Sequence, residues 1–342
     1  RSRIGDADRT TTSEERHSPP RPTHVSWRPV RMVALILKEL RGFLGSLIGQ
    51  IVVVVFLLLT GLFLWVFPDN ILESGYADLG PLFFIAPWVF LFLVPAVTMR
   101  SISEERRTGT IEILLTKPLT ELQIVLAKYL AAVLLVMTAL LPTLIYVWSV
   151  NELSLSHPVL TEDQQAAINL RSWTVTGLVL LGLIAGVVVR TRRSAATRSR
   201  SSMIRAVLVR VLIASVLGMA FHALQGMTGI DEGATWGSYI GLFLLAACFA
   251  SIGLFASALT DSQIVAFLIA VFLSFFLYLG FDLIASFEAF GTLEGPIKAI
   301  GIQSHYMSMS RGVLDLRDVL YYLGAIGIFI LLTRTALQSR KW

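Results

Sequence analysis

The sequence predicts an all-α protein that crosses a membrane several times, and three observations carry that reading. Apolar residues make up 55% of the chain and charged residues only 15%, with a mean hydropathy of +0.73; soluble domains of comparable length carry more charge and less apolar content. The apolar residues are gathered into runs of about twenty, the length a helix needs to cross a hydrocarbon core about 30 Å thick. The arginines collect between those runs, as expected of cytoplasmic loops. The same placement accounts for the net charge of +5 without invoking nucleic acid as a partner. The lone cysteine, Cys248, lies inside an apolar run and reads as a small buried hydrophobe.

The elements follow in chain order. Residues 1–31 hold seven Arg, four acidic residues and four Pro with no hydrophobic period, which reads as a disordered basic tail. From Met32 to Phe43, Val33, Ile36, Leu37, Leu40 and Phe43 recur at helical spacing among Lys38, Glu39 and Arg41, as in an amphipathic helix lying in the membrane interface. The first span is expected at Leu44–Phe67, ended by Pro68-Asp69-Asn70. The second, at Pro81–Met99, carries prolines that kink a helix. The third is expected at Leu122–Val150. Thr120 and Gln123 fit a capping box at its start, Lys128 is placed to snorkel back to the surface, and Pro142 should bend it.

Two shorter runs, Trp173–Val189 and Val211–Met227, flank a loop with seven arginines and no acidic residue at 190–210. The last three runs are Trp236–Leu259, Gln263–Leu279 and Val319–Leu332, with Gly280–Asp318 between the final two. Placing both termini in the cytoplasm puts all the dense arginine clusters on that side, with eight spans in all. From Gln164 to Ile230 there is no Asp, Glu or Lys and a single Phe, Phe221, although the neighbouring runs are Phe-rich. This shift marks residues 155–232 as a two-span hairpin inserted between the third and fourth spans of a six-span core. The chain then divides into 1–31, 32–154, 155–232 and 233–342.

The loop at 100–121 is the densest polar stretch between two long apolar runs. Ser101 and Glu104 fit a capping box, placing a helix start at Ile102, and Gly109 can supply a left-handed residue that closes it. The helix would present Glu105, Arg106 and Arg107 to solvent, with Glu112 just beyond. The string Glu105-Arg106-Arg107-Thr108-Gly109-Thr110-Ile111-Glu112-Ile113-Leu114-Leu115-Thr116-Lys117-Pro118 resembles the cytoplasmic coupling loop of type-2 ABC exporter permeases. Two further strings, Leu254–Phe267 and His305–Asp318, resemble the gliding-motility-associated ABC transporter permeases of Bacteroidetes. The resemblance covers about 30–154 and 233–338.

That resemblance implies a permease whose coupling loop docks on a separate ATP-binding subunit, with Glu105, Arg106, Arg107, Gly109, Thr110 and Glu112 at the contact. It implies ATP with Mg in that partner and no cofactor in this chain. It further implies a second permease chain, identical or different, lipid around the spans, and an inner-membrane location. The alternative is a membrane scaffold of a motility or secretion apparatus that moves no substrate.

Enzyme readings find little support. No G-x-x-x-x-G-K-[ST] string occurs, so no P-loop can form. Glu104-Glu105 resembles the glutamate pair of intramembrane CAAX-type proteases, but Gly109 stands where that pattern wants Arg. The five histidines show no zinc spacing. The span interiors, with these bounds, hold no Asp or Glu, which disfavours an ion-coupled carrier.

Segment 280–318 is too charged to span and too apolar for a free loop. Phe281, Leu283, Ile284, Phe287 and Phe290 alternate with Asp282, Glu288 and Glu294, and Gly295-Pro296 is expected to split it. The segment is expected to fold back into the outer leaflet at the exit of the pathway, as the resemblance also implies. Asp282, Glu288, His305, Tyr306 and Arg311 are its candidate polar positions.

Overall fold

The structure, a computed structural model, describes residues 28–68, 71–74, 78–110, 120–155, 231–287 and 294–339. The tail before Arg28, both hairpin spans with their arginine loop, Glu112 and Glu288 lie outside the described residues. Among the described residues every regular element is a helix. Five helices are long and apolar enough to cross a membrane, or six if a bent N-terminal pair counts as one span. The six-span core is therefore compatible with the structure, while the count of eight rests on residues outside it.

The bent pair is α1, Arg28–Leu44, followed by α2, Leu47–Trp65, at 69°. Helix α1 begins inside the stretch read as tail. Its apolar side is divided: Leu35 packs with Ile124 and Ala127, whereas Val33 and Leu37 stay exposed. Ser46 makes the corner, its Oγ donating to the Phe43 carbonyl (2.7 Å) and accepting from the Gly49 N–H (3.0 Å). A single turn, α3, spans Ile71–Ser74.

Helix α4, Gly80–Thr98, opens with Pro81 in its first turn and runs through Pro87 and Pro95 without ending. After a turn comes α5, Ser103–Arg107. Helix α6, Glu121–Leu140, starts at the capping box expected from Thr120 and Gln123. At Pro142 the helix tightens into a 3-10 turn, Leu141–Thr143, and continues as α7, Leu144–Leu155.

Helix α8, Glu232–Leu259, is capped by Asp231, and α9, Gln263–Phe275, by Ser262. The expected stop at Leu279 is not there: a π-turn, Phe276–Gly280, carries the helix on into α10, Phe281–Ala285. Gly295 and Pro296 do not divide the next segment either. They sit inside α11, Glu294–Lys298, where a proline in the first turn costs no hydrogen bond. Helix α12, Ile302–Met309, follows, and α13, Leu316–Gln338, closes the fold from an Asp315 cap. Because α13 starts before Val319, it draws Asp318 into its first turn, and the helix that continues α9 includes Asp282. The spans as they form are therefore not free of acidic residues, and an ion-coupled carrier is not disfavoured on that ground.

Helix α8 is the centre of the bundle. In its most apolar window 78% of the residues are buried, against 28% for α9 and 22% for α13. It packs on α4, α6, α9, α12 and α13. The contact with α4 is close enough to demand glycine: a Cβ on Gly253 would lie 2.0 Å from Thr98 Oγ1. Phe56 stacks on Phe90 (5.1 Å) and Phe83 meets Tyr239 edge-on (5.1 Å), joining α2, α4 and α8. The exposed faces of α9 and α13 carry Ile264, Phe272 and Leu316, each at least 70% exposed, as suits helices surrounded by lipid or another apolar surface. The bundle has two ends. At the loop end lie α1, α5, the start of α6, the end of α8 and the start of α9. At the far end lie the starts of α4 and α8, the end of α9, and α12.

Candidate functional site

Helix α5 has no cap of its own. Ile102 stands at its N-cap, and Ser101 does not form the box expected with Glu104. The cap comes from α8 instead. Ser257, fully buried, accepts from the Ile102 N–H (3.0 Å) and the Ser103 N–H (3.1 Å), and donates to the Met99 carbonyl (3.0 Å). One hydroxyl thus uses its donor and both acceptor positions to hold the turn after α4 and the start of α5. Ser103 Oγ also donates to the Met99 carbonyl.

Arg106 ties the other end of α5 to the same helix. It donates to the Ala258 carbonyl in the last turn of α8, and its Nε lies 3.0 Å from Asp261 in the short link to α9. A cation at a helix C-terminus satisfies free carbonyls and complements the helix dipole. Glu105 turns the opposite way. Its Oε2 is 2.9 Å from Lys128 Nζ on α6, and its Oε1 is 3.5 Å from Lys38 Nζ on α1. Lys128 also binds Glu39 of α1 (3.2 Å) and the Ser101 carbonyl (2.5 Å). Its side chain is 2% exposed. The expected snorkelling is thus replaced by pairing: desolvating an ammonium is tolerable only with partners, and two carboxylates and a carbonyl supply them.

The expectation that Glu105 and Arg106 face solvent is corrected by these contacts. Their side chains are 14% and 10% exposed. The outward surface of the loop belongs to Glu104, Arg107, Thr108, Gly109 and Thr110. Gly109 adopts φ +70°, the left-handed closing residue expected, and its N–H donates to the Arg106 carbonyl. Thr110 Oγ1 folds back onto the Glu105 carbonyl (3.3 Å) and lies 2.9 Å from Thr108 Oγ1. Helices α1, α6 and α8, and the link before α9, therefore meet at α5 through ion pairs and one serine.

The far-end candidates fall elsewhere. His305 is buried, with Nδ1 2.7 Å from Asp318 and Nε2 3.0 Å from the Ala299 carbonyl, and its ring stacks on Tyr321 (3.9 Å). Tyr306 donates to the Phe83 carbonyl (2.7 Å), and burial pushes its phenol well above the ordinary value. These contacts fasten α12 to α4 and α13. Arg311 is exposed, its Nε donating to the Met307 carbonyl. Asp282 stands on α10 near Gly301, away from His305 and Tyr306 in the chain and without an ion pair to them among the described residues. Ser257, Lys128 as a hub, and Asp318 are site residues that the sequence does not single out. A serine near the end of an apolar helix gives no local signal, and a His–Asp pair formed across a turn shows no helical spacing.

The arrangement at α5 can do one thing well: a displacement of the loop is passed on to several long helices at once. Residues 34–189 match the family model described as ABC-2 family transporter protein, and no curated protein matches the chain. The matched stretch contains α5 and its partners on α1 and α6. The match covers less than half of the chain and gives a likeness to ABC-2 permeases, and five or six helices of the chain are long and apolar enough to cross a membrane.

Proposed function

We propose that this chain is the permease subunit of an ATP-driven exporter and that α5 is the element through which an ATP-binding subunit moves the spans. The observation that carries the proposal is the set of ties just described. Ser257, Lys128 and Lys38 connect α5 to three other helices, and Asp261 connects it to the link before α9. In this reading Glu104, Arg107 and Thr110 form the docking surface, with Glu112 beyond them. Glu105 and Arg106 are relays that transmit its motion. ATP and Mg stay with the partner, whose closure rotates α5 and switches the packing of α4, α6 and α8 between two arrangements. Two permease chains, alike or different, form the pathway in the inner membrane, with both termini in the cytoplasm. The inserted hairpin at 155–232 leaves that topology unchanged. Service in gliding motility or secretion belongs to the same proposal and rests on the sequence resemblance alone.

Co-expression with the ATP-binding subunit tests the division of roles. Glu104→Arg with Arg107→Glu should abolish co-purification of the ATPase. Glu105→Gln with Arg106→Gln should leave it bound but remove transport-linked stimulation of hydrolysis. If the outward pair can be reversed with no effect on binding, α5 is not the docking element. Basal ATPase without any transported species in reconstituted vesicles would point to a scaffold.

A further inference from the structure

At the far end a cavity of about 670 Å³ opens between the starts of α4 and α8, the end of α9, and α12. Its walls are aromatic: Phe83, Phe84, Trp88, Tyr278 and Tyr306 line it, with Trp88 and Tyr278 edge to face at 6.3 Å. Two carboxylates, Asp78 and Asp231, and one cation, Arg311, complete the charged part of the lining. Each carboxylate engages Oδ1 with a backbone N–H at a helix start, from Gly80 and from Ala234, both at 3.0 Å. The other oxygen of each has no hydrogen bond to the described residues. Gln303 also lines the cavity, and its buried Oε1 has no hydrogen-bond partner among them. The lining thus offers ring faces, surplus negative charge and an acceptor awaiting a donor. That combination suits an ammonium group.

A second space shares one lining residue with the first. A groove of about 510 Å³ runs along α2, α4 and α9, lined wholly by apolar side chains such as Val55, Phe63, Phe92, Ala96 and Phe267. Trp88 lines both. An apolar groove that shares Trp88 with an anionic aromatic chamber matches one kind of molecule in polarity. We propose that cavity and groove together bind a single-chain alkylammonium amphiphile, its head in the chamber and its chain in the groove. Resting on the permease reading, this names the class of cargo.

The test is equilibrium binding of radiolabelled dodecylammonium to the full chain held in amphipol, without any ATPase. Dodecylammonium should bind at least tenfold more tightly than dodecyl maltoside or dodecyl sulfate. Asp78→Asn with Asp231→Asn should erase that preference, because asparagine can keep both hydrogen bonds to the helix starts while removing the charge. Ala96→Trp, which fills the groove, should weaken dodecylammonium at least tenfold and leave ethylammonium unchanged. Equal affinity for all three head groups, a preference for the sulfate, or a cation preference that survives the double substitution would overturn the proposal. Binding that persists in a chain failing to recruit the ATPase would count against the permease reading and leave the site standing.

Discussion

The two ends of the bundle use charge in opposite ways. At the loop end Lys38, Glu39, Glu105 and Lys128 satisfy one another, and Arg106 is absorbed by Asp261 and a helix terminus. At the far end Asp78 and Asp231 lend one oxygen each to a helix start and face a cavity with the rest. Internal pairing makes the first region stiff, so that a push on α5 is felt in α1, α6, α8 and α9. Asp78 and Asp231 have no ion pair among the described residues, which in the proposed reading leaves the second region open to a ligand. In the proposed reading, the difference lets one bundle receive force at one end and hold cargo at the other without mixing the two tasks.

The largest expected effect comes from breaking the hub. Lys128→Met leaves Glu39 and Glu105 partly buried beside an apolar chain and should cost about 3 kcal/mol, since removing one partner strands the others. Thermal unfolding of the purified permease reads it. Adding Glu105→Gln should recover part of the loss. A melting temperature unchanged by Lys128→Met would mean that the ion pairs do not stiffen this end.

A smaller loss is expected for Ser257→Ala. Three hydrogen bonds disappear and two N–H groups at the start of α5 lose their cap, worth about 1–2 kcal/mol. Hydrogen exchange at Ile102 and Ser103 should accelerate while the far-end amides keep their protection. Equal acceleration at both ends would erase the contrast between them.

The smallest effect belongs to a pair outside both regions. Glu294 and Lys298 bond at 2.6 Å on the exposed α11, and the bond holds the Glu294 carboxyl below its ordinary value. A carboxyl depressed by folding contributes above its unfolded pKa, and the contribution is lost as pH falls through the lowered value. The two side chains are 53% and 42% exposed, so water screens the pair and Glu294→Gln should leave the melting temperature nearly unchanged between pH 3 and 7. A pH-dependent difference from the parent would show that α11 is packed more tightly than its exposure indicates.

Much of this architecture is legible in the sequence, and the parts that are not share a cause. Hydropathy locates α4, α6, α8, α9 and α13 because burial in apolar surroundings leaves a record in every residue of a span. Local grammar locates the cap at Thr120–Gln123, the closing glycine at 109 and the irregular turn at Pro142. It fails at Ser101 and Glu104, where a residue 154 positions from Ser103 supplies the cap, and at Glu105 and Arg106. A charge run looks the same whether it faces water or partners on other helices. Hydropathy leaves Asp318 in a loop because it averages over a window and cannot see that one acid is paired with His305. The cavity at the far end combines several chain segments, each unremarkable alone.

The central claim is that α5 meets the ATP-binding subunit through its outward residues while Glu105 and Arg106 face the spans. Site-directed cross-linking in native membranes tests it most directly, and the chain is well suited to this because its lone cysteine, Cys248, is buried. With a short bifunctional maleimide, Arg107→Cys and Thr110→Cys should each give a permease–ATPase adduct that changes in yield when ATP is added, and Ser257→Cys should give none. An adduct from Ser257→Cys, or none from Arg107→Cys and Thr110→Cys in a complex that still co-purifies, would contradict the account.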